Sequence, residues 1–345
     1  MAFPLNQWYL GAFSWEIEDR PLGRTLLNRP VVIFRDGDGQ VCVLEDRCCH
    51  RDLPLSCGTV EAGGLRCGYH GLLFNGAGRC VEIPGQARVP DKARVEAYPV
   101  REQDQMIWIW FGADAAAQTP SQPSHEPPQY KIHSDSRYEF RGDVYHYAAP
   151  WQLIHDNLLD LSHLGYVHLK TIGGNARLHM NAETRVESDG DSVRVLRYMP
   201  DSVPPPTYTS AWPLKERVDR WQEIEFFPNH LRIWTGAVDA GTEAITDPER
   251  GGFHMRGLHC ITPETETTCH YLWTMAANRV TDRPSIIDEV YRQTAFTFEE
   301  DRVVIEAQYA NKGRFPGRSM VDIHVDAGPN RARRIIERLI QDGGS

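Results

Sequence analysis

The 345-residue chain has no run of about 18 apolar residues, so no membrane-spanning helix is expected. It has no excess of basic residues either. Its formal net charge of -10 removes the phosphate attraction that dominates nucleic-acid binding, and nucleic acid is not an expected partner. The opening MAFPLNQWYLGAF shows neither a basic leader nor a small-residue cleavage site, so no signal peptide is expected. Cysteine is sparse: eight in a chain of this length do not form the dense disulfide framework of a small secreted domain. These absences point to a reducing cytoplasm, where a Cys/His cluster is more often a metal site than a set of bridges. No G-x-G-x-x-G follows a strand pattern, so direct NADH binding is not expected.

What is present is ordinary globular material, 41% hydrophobic and 24% charged, in a chain long enough for two domains. Residues 1–112 read as an all-β domain. PVVIF and QVCVLED flank the turn DGDG as a hairpin, and GLLFNGAGRCVEIPG repeats the pattern. QMIWIWFG alternates like a half-buried strand, and the many short strands suggest a small barrel or sandwich. Residues 113–129, ADAAAQTPSQPSHEPPQ, read as a linker or a surface-hugging connection. Residues 130–345 read as a mixed domain. WQLIHDNLLDLSHLGYVH has helical spacing, and four runs from SVRVLRYM to CHYLWTMAA read as strands. A long helix is expected from Pro284 to 312, and NRARRIIERLIQD as an amphipathic terminal helix. The fold class is therefore all-β followed by α+β.

Two constellations carry chemistry. Cys48/His50 and Cys67/His70 form a C-x-H and a C-x2-H pair, sixteen residues apart. Zinc could use two thiolates and two imidazoles, but its ligand pairs usually match in type, and here each loop offers one of each. That alternation suits a [2Fe–2S] cluster with thiolates on one iron and imidazoles on the other. The second constellation lies in NLLDLSHLGYVH. His163 and His168 stand about 140° apart on a regular helix, so a break, expected at Gly165, is needed for them to converge. Asp160 is placed to support His163 or receive its ring N–H. Two histidines need one carboxylate to complete the facial triad of a non-haem Fe(II) site, and FEEDRVVIEA offers Glu299, Glu300 and Asp301.

The first constellation resembles the Rieske domain. Leu53 stands where respiratory Rieske proteins have an extra cysteine, so their bridge is not expected, and Cys49 and Cys57 read as packing thiols. Leu72 replaces a Trp common in oxygenases. With both constellations the chain resembles, nearly end to end, the oxygenase component of the Rieske non-haem iron oxygenases. Asn157, Asp160, His163 and His168 match the family's N-x2-D-x2-H-x4-H motif. CCHR, CVEIPGQ, DNLLD, TPETETTCHY and FEEDRVVIEA are similar to the toluenesulfonate methyl-monooxygenase branch, with vanillate and dicamba O-demethylases close behind.

The resemblance implies a cluster at Cys48, His50, Cys67 and His70, a mononuclear iron at His163, His168 and Asp301, and catalytic support from Asp160 and Asn157. It implies a homotrimer in which Asp160 links His163 to a neighbour's His70, and a separate reductase that feeds NADH-derived electrons one at a time. Two substrate contacts are expected. His259 occupies the position of a pocket histidine that meets the substrate carboxylate in dicamba O-demethylase, and Arg292 could pair with a carboxylate or sulfonate. The expected reaction is oxidation of a methyl or methoxy carbon on an anionic aromatic. Ring cis-dihydroxylation is the alternative within the enzymes, and a pure electron carrier is the alternative outside them.

Overall fold

The computed structural model describes residues 3–113, 122–173, 176–279 and 284–343. It divides into two compact units. The first runs to Gln129 and takes in Thr262–Glu266 and the C-terminal residues from Leu339; the second holds Tyr130–Ile261 and Thr267–Arg338.

The first unit is built of three small antiparallel sheets. Strand β1 (Gln7–Phe13) precedes the sheet of β2 (Leu22–Leu26), β3 (Arg29–Arg35) and β4 (Val41–Glu45). Then come β5 (Thr59–Glu61), β6 (Gly64–Arg66), β7 (Leu73–Phe74) and β8 (Cys80–Glu82), followed by β9 (Val100–Gln103) and β10 (Met106–Phe111). Both expected hairpins form, β3 with β4 and β7 with β8. Strand β10 differs from its expectation. It runs between β1 and β9, and all six of its residues are buried, so its alternation does not mark a wet face. Of the stretch 113–129, residues 114–121 lie outside the described residues. The remainder is held on the first unit: Trp8 Nε1 donates to the His125 carbonyl (2.7 Å) and Gln103 Nε2 to that of Pro128 (3.0 Å).

The second unit is one seven-stranded antiparallel sheet with helices. Its strands are β11 (Tyr138–Tyr147), β12 (Thr184–Asp189), β13 (Ser192–Ser202), β14 (Val218–Phe227), β15 (His230–Asp239), β16 (Phe253–Pro263) and β17 (Cys269–Asn278), in the order β11-β17-β16-β15-β14-β13-β12. Helices α1 (Trp151–Leu159), α2 (Leu164–Val167), α3 (Ala176–Asn181) and α4 (Pro206–Ala211) fill its connections, and α5 (Ile287–Arg314) and α6 (Ala327–Asp342) close the chain. Buried residues Ile287, Val290, Thr294, Thr297, Phe298, Asp301 and Ile305 recur at helical spacing along α5. They make one stripe, tied to the sheet where Tyr147 Oη donates to the Phe298 carbonyl (2.9 Å). That stripe carries a carboxylate, Asp301, into the unit's interior. Among the described residues no helix is long and apolar enough to cross a membrane.

His155 on α1 is buried between Trp151 and Phe226, and neither ring nitrogen has a hydrogen-bond partner. Burial pushes its pKa down to about 3. Between its ordinary value and that one, the unfolded chain takes up a proton that the folded chain refuses. Stability attributable to His155 should therefore fall as pH drops from about 6.5 towards 3, by at most ~1.4 kcal/mol per pH unit. A His155→Leu variant should show a flatter decline in urea titrations between pH 7 and 5. Equal slopes for the two proteins would contradict this.

Candidate metal centres and active site

The two upstream loops share one backbone plan. The Cys48 amide donates to the Leu53 carbonyl (2.9 Å) and the Asp52 amide to that of Cys48 (3.0 Å). The same pair recurs as Cys67 to Leu72 (2.8 Å) and Gly71 to Cys67 (3.1 Å). The fourth residue after each cysteine has a left-handed backbone, at φ +58° for Asp52 and +75° for Gly71. Glycine adopts this freely and a short polar side chain tolerates it. The second loop is further clamped by Arg66, whose Nη1 donates to the Gly71 carbonyl (2.6 Å) while Glu61 and Glu82 hold the guanidinium.

Cys48 and Cys67 are buried in the apolar core with Val32, Leu44, Leu65 and Phe74. His50 and His70 are exposed, with ring centres 4.4 Å apart. Burial pushes the Cys48 thiol up to about 11, with Cys67 beside it. The eight cysteines are free thiols. Among the described residues, the one group of three or more such donors within 4.8 Å of one another is in the other unit, so these four do not close to single-ion spacing. Two sulfurs inside and two imidazoles outside fit a two-iron cluster better than a tetrahedral zinc. Cys49 packs partly buried against this core, as expected of a packing thiol. Cys57 is exposed, which corrects that expectation for it.

The second centre is assembled from α2 and α5. The sequence suggests a break at Gly165, but α1 ends earlier, at Asp160, whose backbone is extended (φ -95°, ψ 108°). The Asp160 carboxylate accepts the Ser162 amide (2.7 Å), a local turn that competes with helix. Gly165 lies inside α2 and serves packing, since a Cβ there would come 2.3 Å from Ala176 Cα of α3. His163 and His168 cap the two ends of this one-turn helix, and their ring centres are 5.1 Å apart.

Asp301 Oδ1 lies 3.5 Å from His163 Nε2 and 3.0 Å from His168 Nε2, and all three donors fall within 4.8 Å of one another. Burial alone would raise the Asp301 pKa. Its hydrogen bonds to both histidines outweigh that and hold it at about 2. For His168, burial pulls down, but Asp301 and Glu300 more than compensate and raise it. Two imidazoles and one carboxylate converging in a buried site are the donor set of a non-haem Fe(II) triad, and these residues fit that ion.

The outer contacts fix each ligand. His163 Nδ1 pairs with the Asp160 main-chain carbonyl (2.5 Å), not with its carboxylate. His168 Nδ1 pairs with Glu300 Oε2 (2.9 Å), and Asn157 Nδ2 donates to Asp301 Oδ1 (2.9 Å). Glu300 was legible only as a rival ligand. The habit of metal-bound histidines to give their second N–H to a carboxylate could have assigned it. Glu299 turns outward to Arg302.

A pocket holding about 710 Å³ of empty space, open solvent included, opens onto this centre. Leu158, Leu161, Ile224, Ile233, Met255 and Phe298 give it an apolar wall. His259 lines it: Nδ1 meets Tyr271 Oη (2.6 Å), Nε2 has no partner, and burial pushes the ring down to about 3, so it is neutral. Arg292 does not reach the cavity. It lies on the exposed side of α5 in an i,i+3 pair with Glu289, because its position falls outside the buried stripe.

Comparison with known proteins follows the same division. Residues 7–99 match the Rieske [2Fe-2S] domain, and residues 147–342 match the vanillate O-demethylase oxygenase C-terminal domain. The toluene-4-sulfonate monooxygenase system iron-sulfur subunit of Comamonas testosteroni is 37% identical over 99% of both chains. The dicamba O-demethylase oxygenase component of Stenotrophomonas maltophilia is 34% identical over 99% of both. A vanillate O-demethylase oxygenase subunit from a Pseudomonas species is 34% identical over 98% of this chain and 95% of its own. A crystal structure of dicamba monooxygenase bound to dicamba superposes with a TM-score of 0.87 at 32% identity, covering 99% of this chain and 98% of that one. Two centres in two units and end-to-end likeness lead to one conclusion: this chain belongs to the Rieske non-haem iron oxygenases, as the oxygenase component of a multicomponent monooxygenase.

Proposed function

We propose that the chain oxidises a methyl or methoxy carbon of an anionic aromatic substrate, with the cluster on Cys48, His50, Cys67 and His70 and Fe(II) on His163, His168 and Asp301. The observation that carries this is the His163, His168 and Asp301 triad opening directly onto a pocket with an apolar wall. When bound, the cluster stores single electrons from a separate reductase and the mononuclear iron uses them to activate dioxygen. Overall, a methoxyarene, dioxygen, NADH and a proton give a phenol, formaldehyde, water and NAD+. An aryl methyl group gives the benzylic alcohol and water.

The chain's own residues bind and orient. Asn157 and Glu300 hold Asp301 and His168 in place, and the apolar wall keeps water from the reacting carbon. His259 offers Nε2 to the substrate's polar group as a neutral partner. With a cluster held by these residues, the exposed imidazole edge at His50 and His70 would be the side open to an electron-transfer partner. Asp160 would carry electrons to His163 from a neighbour's His70 in a homotrimer, in the cytoplasm where NADH is supplied.

Supplied with a reductase and NADH, the enzyme is expected to release formaldehyde from methoxyarene acids in step with phenol. Arene cis-diols without formaldehyde would favour ring dihydroxylation instead, and the absence of any oxygenated product would favour an electron carrier.

A further inference from the structure

The cavity presents a charge problem. Among the described residues no lysine or arginine lines it, and the one histidine there beyond the metal-ligand pair is neutral, yet an aromatic anion buried there would be costly without a counter-charge. The pairing across β13 to β16 shows where one lies. Arg197, Gln222, Thr235 and Met255 stand opposite one another in a row, and Gln222, Thr235 and Met255 line the cavity. One step along β14 on this same face is Arg220, opposite Met199 and Ala237.

Arg220 is 1% exposed. Its Nη2 reaches the Ile172 carbonyl at 3.4 Å, its Nε is buried with no acceptor, and no carboxylate pairs with it among the described residues. Other buried arginines of this unit are provided for. Arg197 donates to Leu161 and Thr184 and meets His179, while Arg250 pairs with Glu223 at 2.8 Å. The guanidinium carbon of Arg220 lies 5.2 Å from the centre of the Tyr208 ring. Both of its neighbours, Tyr208 and Ile172, line the cavity. A guanidinium shut away from water with no carboxylate partner is expensive, and an anion held at Tyr208 in front of it would relieve both burials at once.

Resting on the reaction proposed above, we propose that Arg220 and Tyr208 form the oxyanion-reading end of the cavity. The Tyr208 hydroxyl donates to the substrate's carboxylate or sulfonate, and Arg220 behind it supplies the counter-charge. This is the role that Arg292, held outside by Glu289, does not fill.

The test is equilibrium binding to the holoenzyme of 4-methoxybenzoate, 4-methoxybenzenesulfonate and the neutral 4-methoxybenzamide, with KM and kcat measured on each. The wild type should bind one or both anions over the amide by roughly tenfold or more, the scale of a charge-assisted hydrogen bond. Tyr208→Phe and Arg220→Met should each erase most of that preference by raising KM for the anions, and Arg220→Lys should restore part of it. Tyr208→Phe keeps the ring, so it decides the matter if Arg220→Met fails to fold. Equal binding of anion and amide by the wild type, or equal weakening of both in Tyr208→Phe, would overturn the proposal. The binding ratio is decisive whatever the turnover. Formaldehyde from the amide with no anion preference would leave oxidation of the methoxy carbon standing and remove this anchor together with the preference for an anionic substrate.

Discussion

Replacing Asp301 with Ala should abolish oxygenation while leaving the protein red-brown. Asp301 is the single carboxylate of the buried triad, 3.0 and 3.5 Å from the two imidazoles, and Asn157 points at it. Without it, two histidines remain on a one-turn helix, too few to retain iron. Loss of an outer partner typically costs a metal site 10- to 100-fold, so loss of the ligand itself should lower turnover on the order of a thousandfold or more. The upstream loops belong to the other unit and share no residue with this one, so their cluster absorbance should be unchanged. Product formation and visible spectrum on the same preparation check both halves. Turnover within tenfold of wild type would contradict the assignment of Asp301.

The second large effect is expected at Asp160, and it separates electron delivery from metal binding. His163 is oriented by the main-chain carbonyl of Asp160, which any side chain at that position would keep. The carboxylate is therefore not needed to hold the ring. Asp160→Asn should retain mononuclear iron, and the amide oxygen can still accept from Ser162. NADH-driven turnover should nevertheless fall steeply, because the carboxylate is the proposed route for electrons to the iron. The step to watch is reoxidation of the pre-reduced cluster in the presence of substrate and dioxygen. Fast reoxidation in the variant would show that electrons do not pass this residue.

The parts legible in the sequence were those specified locally. Each Cys/His pair spans only three or four residues in one loop, so its spacing announces it, and the two hairpins around DGDG and NGAG carry their own turn chemistry. The histidine pair was legible for the same reason. Its geometry was not: the break sits at Asp160, where a side-chain turn ends α1, and Gly165, the expected breaker, is needed for the approach of α3.

Other misses share a cause. Alternation in QMIWIWFG described two faces correctly, but only the tertiary packing covers both. FEEDRVVIEA offered three adjacent acids. Which one points inward depends on the stripe that α5 buries, and that stripe also excludes Arg292 while placing Glu300 against His168. Arg220 carries no local signal at all, because a lone arginine in a strand is unremarkable until the sheet closes over it.

The most direct test counts iron and acid-labile sulfide per chain in the purified, iron-replete protein. Two irons with two sulfides at the upstream loops and one further iron at the later triad predict a ratio of three to two. A ratio of two to two, with nothing gained on adding ferrous iron, would leave an electron carrier and contradict the account.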